Sequence, residues 1–293
     1  MKPAPFDYCR ASSPAQAVEL LARHRGEARL IAGGQSLAPM LNLRMARPEA
    51  LIDINGLAEL AGIAEAPGGL HIGALARHAD VAASALVARH APLLTEALGH
   101  VAHPAIRHRG SFGGSLCHAD PAAELPACVV ALGAELHVLG PEGTRSLPAD
   151  AFFHGPFQTA LAEDEMLLGA TLPHPPAGTV MAMDEIARRP GDYAIAGACA
   201  TARPEGGRLA ALRLVFFGIS GQPELASRTA AALDGVDAAQ AEASLPALLA
   251  AELDPDDDPQ ACAAMRLHYA AVLARRLIRR LLDPAVTATE MQA

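Results

Sequence analysis

The chain has 293 residues, of which 51% are hydrophobic and only 3% are aromatic, with no tryptophan. This length and composition allow a sizeable core and more than one domain. The formal net charge of −9 argues against a nucleic-acid-binding surface, which usually carries a basic stripe, and leaves small molecules and protein partners as ligands.

The sequence also bears on the cellular setting. No apolar run approaches the roughly 18 residues of a membrane span, and the N-terminus lacks the apolar segment of a signal peptide. An odd, scattered set of cysteines is typical of reduced thiols and cannot itself ligate an iron–sulfur cluster. The five cysteines are Cys9, Cys117, Cys128, Cys199 and Cys262. We therefore expect a soluble cytoplasmic protein.

The first half of the chain alternates helical and strand patterns. Ser13 as N-cap and Pro14 in the first turn predict a helix that ends at Gly26. Further patterns predict strands over residues 28–32, 49–55 and 69–75, and a helix over residues 79–101 with a break at Pro92.

The second half predicts more sheet and a long final helix. A hairpin is expected around the "PEGT" turn, and a strand over residues 165–173. Pro173, Pro175 and Pro176 then mark a domain border, so we place domains at residues 1–175 and 176–293. The second domain is predicted to hold a small antiparallel sheet and a helix whose apolar positions are Leu267, Ala270, Ala271, Ala274, Leu277, Ile278 and Leu281.

Two segments combine a glycine pair with serine: "LIAGGQSLAPM" (30–40) and "RGSFGGSLCHADPAAELP" (109–126). Glycine permits unusual backbone angles and lets a ligand approach closely, and successive N–H groups in such a turn form an anion site that serine hydroxyls can extend. One such turn is weak evidence, but two of like design suit a ligand with two phosphates, such as a dinucleotide. The G-x-G-x-x-G and G-x-x-x-x-G-K-[ST] motifs are absent, which excludes the Rossmann and P-loop interpretations.

Two other chemistries fit the residues poorly. Residues 34–38 form a loose G-x-S-x-A, the pattern of an esterase nucleophile, but that motif should lead directly into a helix and Pro39 predicts a poor one. The histidines at 100, 103, 108 and 118 match no common metal-site spacing. We therefore predict neither a hydrolase nor a metal site.

Two acidic residues follow the second glycine segment at short range. Asp120 and Glu124 can favour the start of a helix through its dipole. They can equally accept hydrogen bonds from ligand hydroxyls, such as those of a ribose or ribityl chain, and both roles are compatible.

Three stretches together resemble one family. "ARLIAGGQSLAPMLNLRMARPEALIDIN", "HPAIRHRGSFGGSLCHADPAAELPA" and "ARRPGDYAIAGACA" are similar to the medium, FAD-binding subunit of molybdenum hydroxylases. This family includes the carbon monoxide dehydrogenase medium subunit and the flavin domain of xanthine dehydrogenase, and the resemblance covers residues 6–282. It implies an α+β fold: a vanillyl-alcohol-oxidase (PCMH) type FAD-binding domain with subdomains at about 1–57 and 58–175, followed by a smaller C-terminal domain.

The resemblance also assigns cofactor-binding residues. It places a pyrophosphate-binding loop at the first glycine segment and a second loop at the other. It places an acid that holds the flavin's sugar chain at Asp120 or Glu124. It places apolar positions beside the flavin ring at Val101 and Leu167, and a position near the isoalloxazine at Tyr193. The two loops comprise Leu30, Ile31, Ala32, Gly33, Gly34, Gln35, Ser36 and Leu37, and Ser111, Phe112, Gly113, Gly114 and Ser115.

The implied function is electron transfer through FAD, with no catalytic residue assigned in this chain. Substrate would be oxidised at a molybdopterin centre in a large subunit, and electrons would pass through [2Fe-2S] clusters in a small subunit to FAD and then to an external acceptor. The assembly would be a heterotrimer or a dimer of heterotrimers. The alternative is a stand-alone FAD-dependent oxidase or reductase of the same fold.

The chain departs from the family pattern at two places. Ser111-Phe112 stands where the family usually has Thr-Ile, which puts bulk at the second loop. Glu185 stands where a lysine is frequent.

Overall fold

The computed structural model describes residues 2–283, so residue 1 and residues 284–293 of the predicted domains lie outside the described part. Helices and strands are mixed, as expected for an α+β protein. The strands are β1 (Asp7–Arg10), β2 (Ala28–Ile31), β3 (Ala50–Asp53), β4 (Ile63–Ala66), β5 (Gly69–Gly73), β6 (Glu135–Gly140), β7 (Gly143–Pro148), β8 (Phe153–Gly155), β9 (Gln158–Thr159), β10 (Met166–Pro173), β11 (Val180–Ile186), β12 (Ala196–Glu205), β13 (Arg208–Phe217) and β14 (Glu224–Leu225). The helices are α1 (Pro14–His24), α2 (Leu37–Asn42), α3 (His78–Ala83), α4 (Ala85–His90), α5 (Pro92–His100), α6 (Pro104–Arg107), α7 (Phe112–His118), α8 (Glu124–Ala131), α9 (Ser227–Leu233), α10 (Ala238–Glu252) and α11 (Ala263–Leu282).

The N-terminal residues form a three-stranded parallel sheet in the order β1-β3-β2. α1 begins where the Ser13 side chain accepts the Gln16 N–H, as its N-cap pattern predicts. Its apolar stripe packs on the sheet, and β2 ends at Ile31, two residues before Gly33 of the first glycine pair. The topology therefore delivers that glycine segment to the carboxyl end of a parallel sheet.

A five-stranded sheet follows, in the order β4-β5-β10-β6-β7. The predicted β6–β7 hairpin is confirmed. The predicted helix over residues 79–101 is wrong as a single element, because the chain forms three helices here. α3 and α4 separate at Ser84, whose hydroxyl accepts the Val87 N–H at the start of α4. The expected break at Pro92 is present, with Pro92 at the start of α5.

The C-terminal domain is built on a four-stranded antiparallel sheet in the order β11-β12-β13-β14. Along β12, Ala196, Ala198 and Ala200 face the core beneath α11, and Cys199 faces the core of the first domain. Alternating side chains on a strand point to opposite faces, so this sheet is buried on both. Small alanine side chains on one face let α11 pack closely against the sheet.

Partly buried polar contacts join the two domains. Arg280 on α11 donates to Glu96 on α5 at 2.5 Å and to the Met183 carbonyl at 2.6 Å. Arg213 on β13 donates to the Val130 carbonyl, at the end of α8, at 2.8 Å. These contacts fix α5 and α8 against the second domain.

None of the helices in residues 2–283 combines the length and apolarity that a membrane crossing needs.

Candidate cofactor site

Residues 32–36 of the first glycine segment form an open loop between β2 and α2. Pro39 lies in the first turn of α2, so the expectation of a poor helix at this point is wrong. Gly34 has a φ of +71°, the left-handed region that favours glycine, and the Gln35 side-chain amide donates to the Gly33 carbonyl at 2.9 Å. Within the described residues, the backbone amides of Gly33–Leu37 have no hydrogen-bond partner. Five unpaired donors in succession can bind an anion.

The second glycine segment is not a turn. Phe112–His118 form α7, which corrects the sequence prediction. The Phe112 and Gly113 N–H groups donate to the Ala76 and Ala74 carbonyls, each at 2.8 Å, and a Cβ at Gly113 would lie 2.5 Å from that of Ala74. Gly113 is thus required for α7 to pack against the chain after β5, and not for ligand approach.

The two glycine segments touch each other through Gly33. A Cβ on this residue would lie 2.1 Å from the Arg109 carbonyl oxygen. Real Cβ atoms do not approach backbone oxygen so closely, so glycine is obligatory here while these two segments remain in contact. The cleft between them has a volume of about 340 Å³, and it is lined by Tyr8, Ile31, Ala32, Gly33, Gly34, Gln35, Ala38, Asp53, Asn55 and Arg109.

The sequence prediction missed the polar network beneath this cleft. Asn55 donates to the Ala32 carbonyl at 2.9 Å and accepts from Arg77 at 2.7 Å. Arg77 in turn donates to the Arg109 carbonyl at 2.6 Å. Asn55 and Arg77 therefore connect the two segments. The available signal was a polar residue at the end of the predicted strand over residues 49–55 and another two residues after the strand over 69–75.

Ser111 carries an unsatisfied hydroxyl at the start of α7. The residue is buried, and its Oγ has no hydrogen-bond partner within the described residues. A buried polar group without a partner is disfavoured. The unpaired loop amides, the Ser111 hydroxyl and the exposed Arg109 together fit an anionic ligand of pyrophosphate type.

A second polar group lies where α5, α8 and β11 meet. His100 pairs with Glu185 at 3.3 Å, and Glu185 Oε2 is buried without a partner among the described residues. Burial raises the pKa of Glu124 to about 8, with a smaller contribution from the negative charge of Glu185. The hydrogen bond that the His100 imidazole donates to the Glu185 carboxylate raises the pKa of His100.

Tyr193 and Asp120 border this group. Partial burial is the largest cause of the pKa of Tyr193 being raised to about 12, and the negative charges of Asp120 and Glu124 add to it. One Asp120 oxygen accepts the Ala122 N–H at 2.9 Å. Because Glu124 retains a proton at neutral pH, it can donate a hydrogen bond to a ligand as well as accept one.

The apolar residues assigned to the cofactor lie at different depths. Leu167 on β10 is in the main core, and Val101 at the end of α5 is half-buried against it. Phe112 is fully buried in the same core, so its bulk is absorbed by protein packing. Leu30 packs against the N-terminal core.

The assigned residues therefore form two groups joined by α7. The pyrophosphate-type cleft lies at its start, and the acidic group with Tyr193 lies beyond its end. Seven helical residues rise about 10 Å, a separation that suits an elongated ligand. Residues 2–283 contain no group of three or more His, Cys, Asp and Glu side chains arranged to hold a metal ion.

Comparisons with known proteins cover both domains. Residues 4–175 match a family model described as the FAD binding domain in molybdopterin dehydrogenase, and residues 181–281 match one described as the CO dehydrogenase flavoprotein C-terminal domain. The carbon monoxide dehydrogenase medium chain of Afipia carboxidovorans is 33% identical over 282 residues, which are 96% of this chain and 98% of that relative. Subunit alpha of the 6-hydroxypseudooxynicotine dehydrogenase complex of Paenarthrobacter nicotinovorans is 42% identical over 219 residues, 74% of each chain.

Solved structures show the same likeness. A chain of quinoline 2-oxidoreductase from Pseudomonas putida 86 matches with a TM-score of 0.91 and 35% identity, covering 97% of this chain and 99% of that one. A chain of carbon monoxide dehydrogenase from Hydrogenophaga pseudoflava matches with a TM-score of 0.92 and 35% identity, covering 95% and 98%. The predicted α+β fold, a FAD-binding domain followed by a smaller domain with an antiparallel sheet, is confirmed.

Proposed function

Because the chain belongs to the FAD-binding medium subunits of molybdopterin dehydrogenases, we propose that it holds FAD across α7, with the pyrophosphate at the cleft and the flavin ring toward Tyr193. The observation that carries this arrangement is the run of unpaired amides at Gly33–Leu37, because its residues Gly33–Gln35 line the same cleft as Arg109. Bound FAD supplies the electron-carrying chemistry, taking electrons from [2Fe-2S] clusters and passing them to an external acceptor.

The residues of the chain bind and orient this cofactor. The loop Ala32–Leu37 and Ser111 donate hydrogen bonds to phosphate oxygens, with Gly114 and Ser115 beside them on α7. Asp120 and Glu124 bind hydroxyls of the sugar chain, and Val101, Leu167 and Tyr193 surround the ring system. No side chain is required as a general acid or base in this role.

The partners hold the remaining chemistry. Relatives of this chain are medium subunits of multisubunit molybdenum enzymes, which implies a large molybdopterin-binding subunit and a small [2Fe-2S] subunit. We propose a heterotrimer, or a dimer of heterotrimers, in the cytoplasm. The five free cysteines are compatible with that compartment.

Purification of the affinity-tagged chain from its native host tests the subunit role. We expect two further chains in equal amounts, carrying molybdopterin and two [2Fe-2S] clusters per trimer, as measured by native mass spectrometry with metal and cofactor analysis. A chain that elutes alone with FAD and oxidises a substrate by itself would support the stand-alone oxidase or reductase instead.

Ser111→Ala tests the pyrophosphate assignment. We expect the FAD dissociation constant to rise about tenfold, the effect of one hydrogen bond to a charged group. The melting temperature of the FAD-free chain should stay equal or rise slightly, because the variant removes an unpaired buried hydroxyl. Titration of flavin fluorescence measures the first quantity, and Ser244→Ala on the surface of α10 is the matched control, expected to change neither.

A further inference from the structure

Exposed aromatic residues are concentrated near the proposed cofactor site. In a chain that is only 3% aromatic, the described residues include three aromatic side chains that are more than half exposed: Tyr8, Phe157 and Tyr193. Tyr8 lines the pyrophosphate-type cleft. The other two flank the turn at Ala119–Asp120, directly after α7.

Phe157 is held in an unfavourable backbone conformation at this turn. Its φ is +57°, and its N–H donates to the carbonyl of Ala119, which itself has a φ of +48°, at 3.0 Å. A bulky side chain rarely adopts the left-handed region, and such residues cluster at binding sites when the surroundings enforce them.

The surroundings do fix the loop that carries Phe157. The ring lies 5.0 Å from that of His118, centroid to centroid. The neighbouring Pro156 packs against Gly221 of the second domain, where an added Cβ would lie only 2.8 Å from Pro156 Cδ. The Pro121 carbonyl accepts the Gly218 N–H at 2.8 Å on the same side. Phe157 is therefore an anchored residue that remains 57% exposed.

Tyr193 approaches the same turn from the second domain. Its hydroxyl lies close enough to Asp120 for that carboxylate to contribute to its raised pKa, and the residue is 54% exposed. Phe157 and Tyr193 thus present two fixed apolar surfaces beside one turn. Such surfaces suit a planar conjugated ring, which gains from aromatic contacts.

We propose that Phe157 contacts the flavin ring system, so that Phe157 and Tyr193, which both lie beside the Ala119–Asp120 turn, border the flavin together. This inference rests on the proposed FAD function and adds a binding residue that the family resemblance did not assign. It also explains why a strained and exposed phenylalanine stands where glycine would be the unstrained choice.

Phe157→Gly separates binding from stability. Glycine removes the ring and adopts a positive φ without a Cβ, so we expect the FAD dissociation constant to rise about tenfold while the melting temperature of the FAD-free chain stays equal or rises. Phe157→Tyr keeps a ring and should retain FAD affinity. Arg25→Gly is the matched control, because Arg25 has a φ of +48° at the end of α1, away from the cleft; it should raise the melting temperature and leave FAD affinity unchanged.

The full-length chain is titrated with FAD, and flavin fluorescence and thermal unfolding are recorded. Unchanged FAD affinity in Phe157→Gly, with the wild type binding normally, would overturn this inference and leave the proposed function intact. A lowered melting temperature together with lost affinity would show a packing role and would also overturn it. Absence of FAD binding by the wild type would instead contradict the proposed function itself.

Discussion

Gly33→Ala is expected to abolish FAD retention by the purified chain. The new Cβ would lie 2.1 Å from the Arg109 carbonyl oxygen and 3.0 Å from Gly110 Cα, and backbone atoms cannot move aside as a flexible side chain can. Overpacking of this kind costs about 1–3 kcal/mol. We expect the two segments to separate, the dissociation constant for FAD to rise at least a hundredfold, and the melting temperature to fall.

Gly62→Ala provides the control for this substitution. A Cβ at Gly62 meets no atom within 4 Å, so this variant should bind FAD like the wild type. Flavin content after gel filtration and a fluorescence titration measure both variants. Equal FAD retention by Gly33→Ala and the wild type would contradict the view that contact between the two segments forms the site.

Stability is expected to fall as the pH rises from about 5 to about 8. Burial raises the pKa of Glu124 from its ordinary 4.5 to about 8, so the folded chain retains a proton that the unfolded chain has already released. The stabilisation is complete below pH 4.5 and is lost as the pH rises through 8, an effect on the order of 5 kcal/mol. His100 acts in the same direction, because Glu185 raises its pKa and the ion pair is lost when the imidazole deprotonates.

Glu124→Gln tests the source of this slope. The variant cannot ionise at residue 124, so its free energy of unfolding, measured by urea denaturation, should depend less on pH and should exceed that of the wild type at pH 8. Glu19→Gln is the control, since Glu19 is an exposed residue paired with Arg23 along α1. Parallel pH profiles for the wild type and Glu124→Gln would show that Glu124 is not the group responsible.

Capping residues and the periodicity of apolar residues predicted the elements that have strong local signals. The Ser13–Pro14 start of α1 and the apolar positions of α11 were both readable, because capping and one-sided burial leave marks in the sequence. The short strand β1 was missed: its side chains are mostly exposed or half-buried, and it exists through pairing with β3, more than 40 residues away. Helix α2 was rejected because of Pro39, yet proline in the first turn of a helix loses no internal hydrogen bond.

The glycines of the site show a similar limit. The motif spacing identified both segments, but it could not show that Gly33 serves backbone contact or that Gly113 lies in a helix. Those roles depend on Arg109 and Ala74, whose contacts arise only in the folded chain. The same holds for Phe157, since its backbone angle and its contact with Ala119 leave no sequence pattern.

The most direct test of the central claim is the visible absorbance spectrum of the purified chain before and after incubation with FAD, with the released chromophore identified after acid denaturation. We predict a flavin spectrum, present on purification or acquired after FAD is added, and FAD as the released compound. A chain that remains colourless after incubation with excess FAD would contradict the assignment of the site and of the electron-transfer role that depends on it.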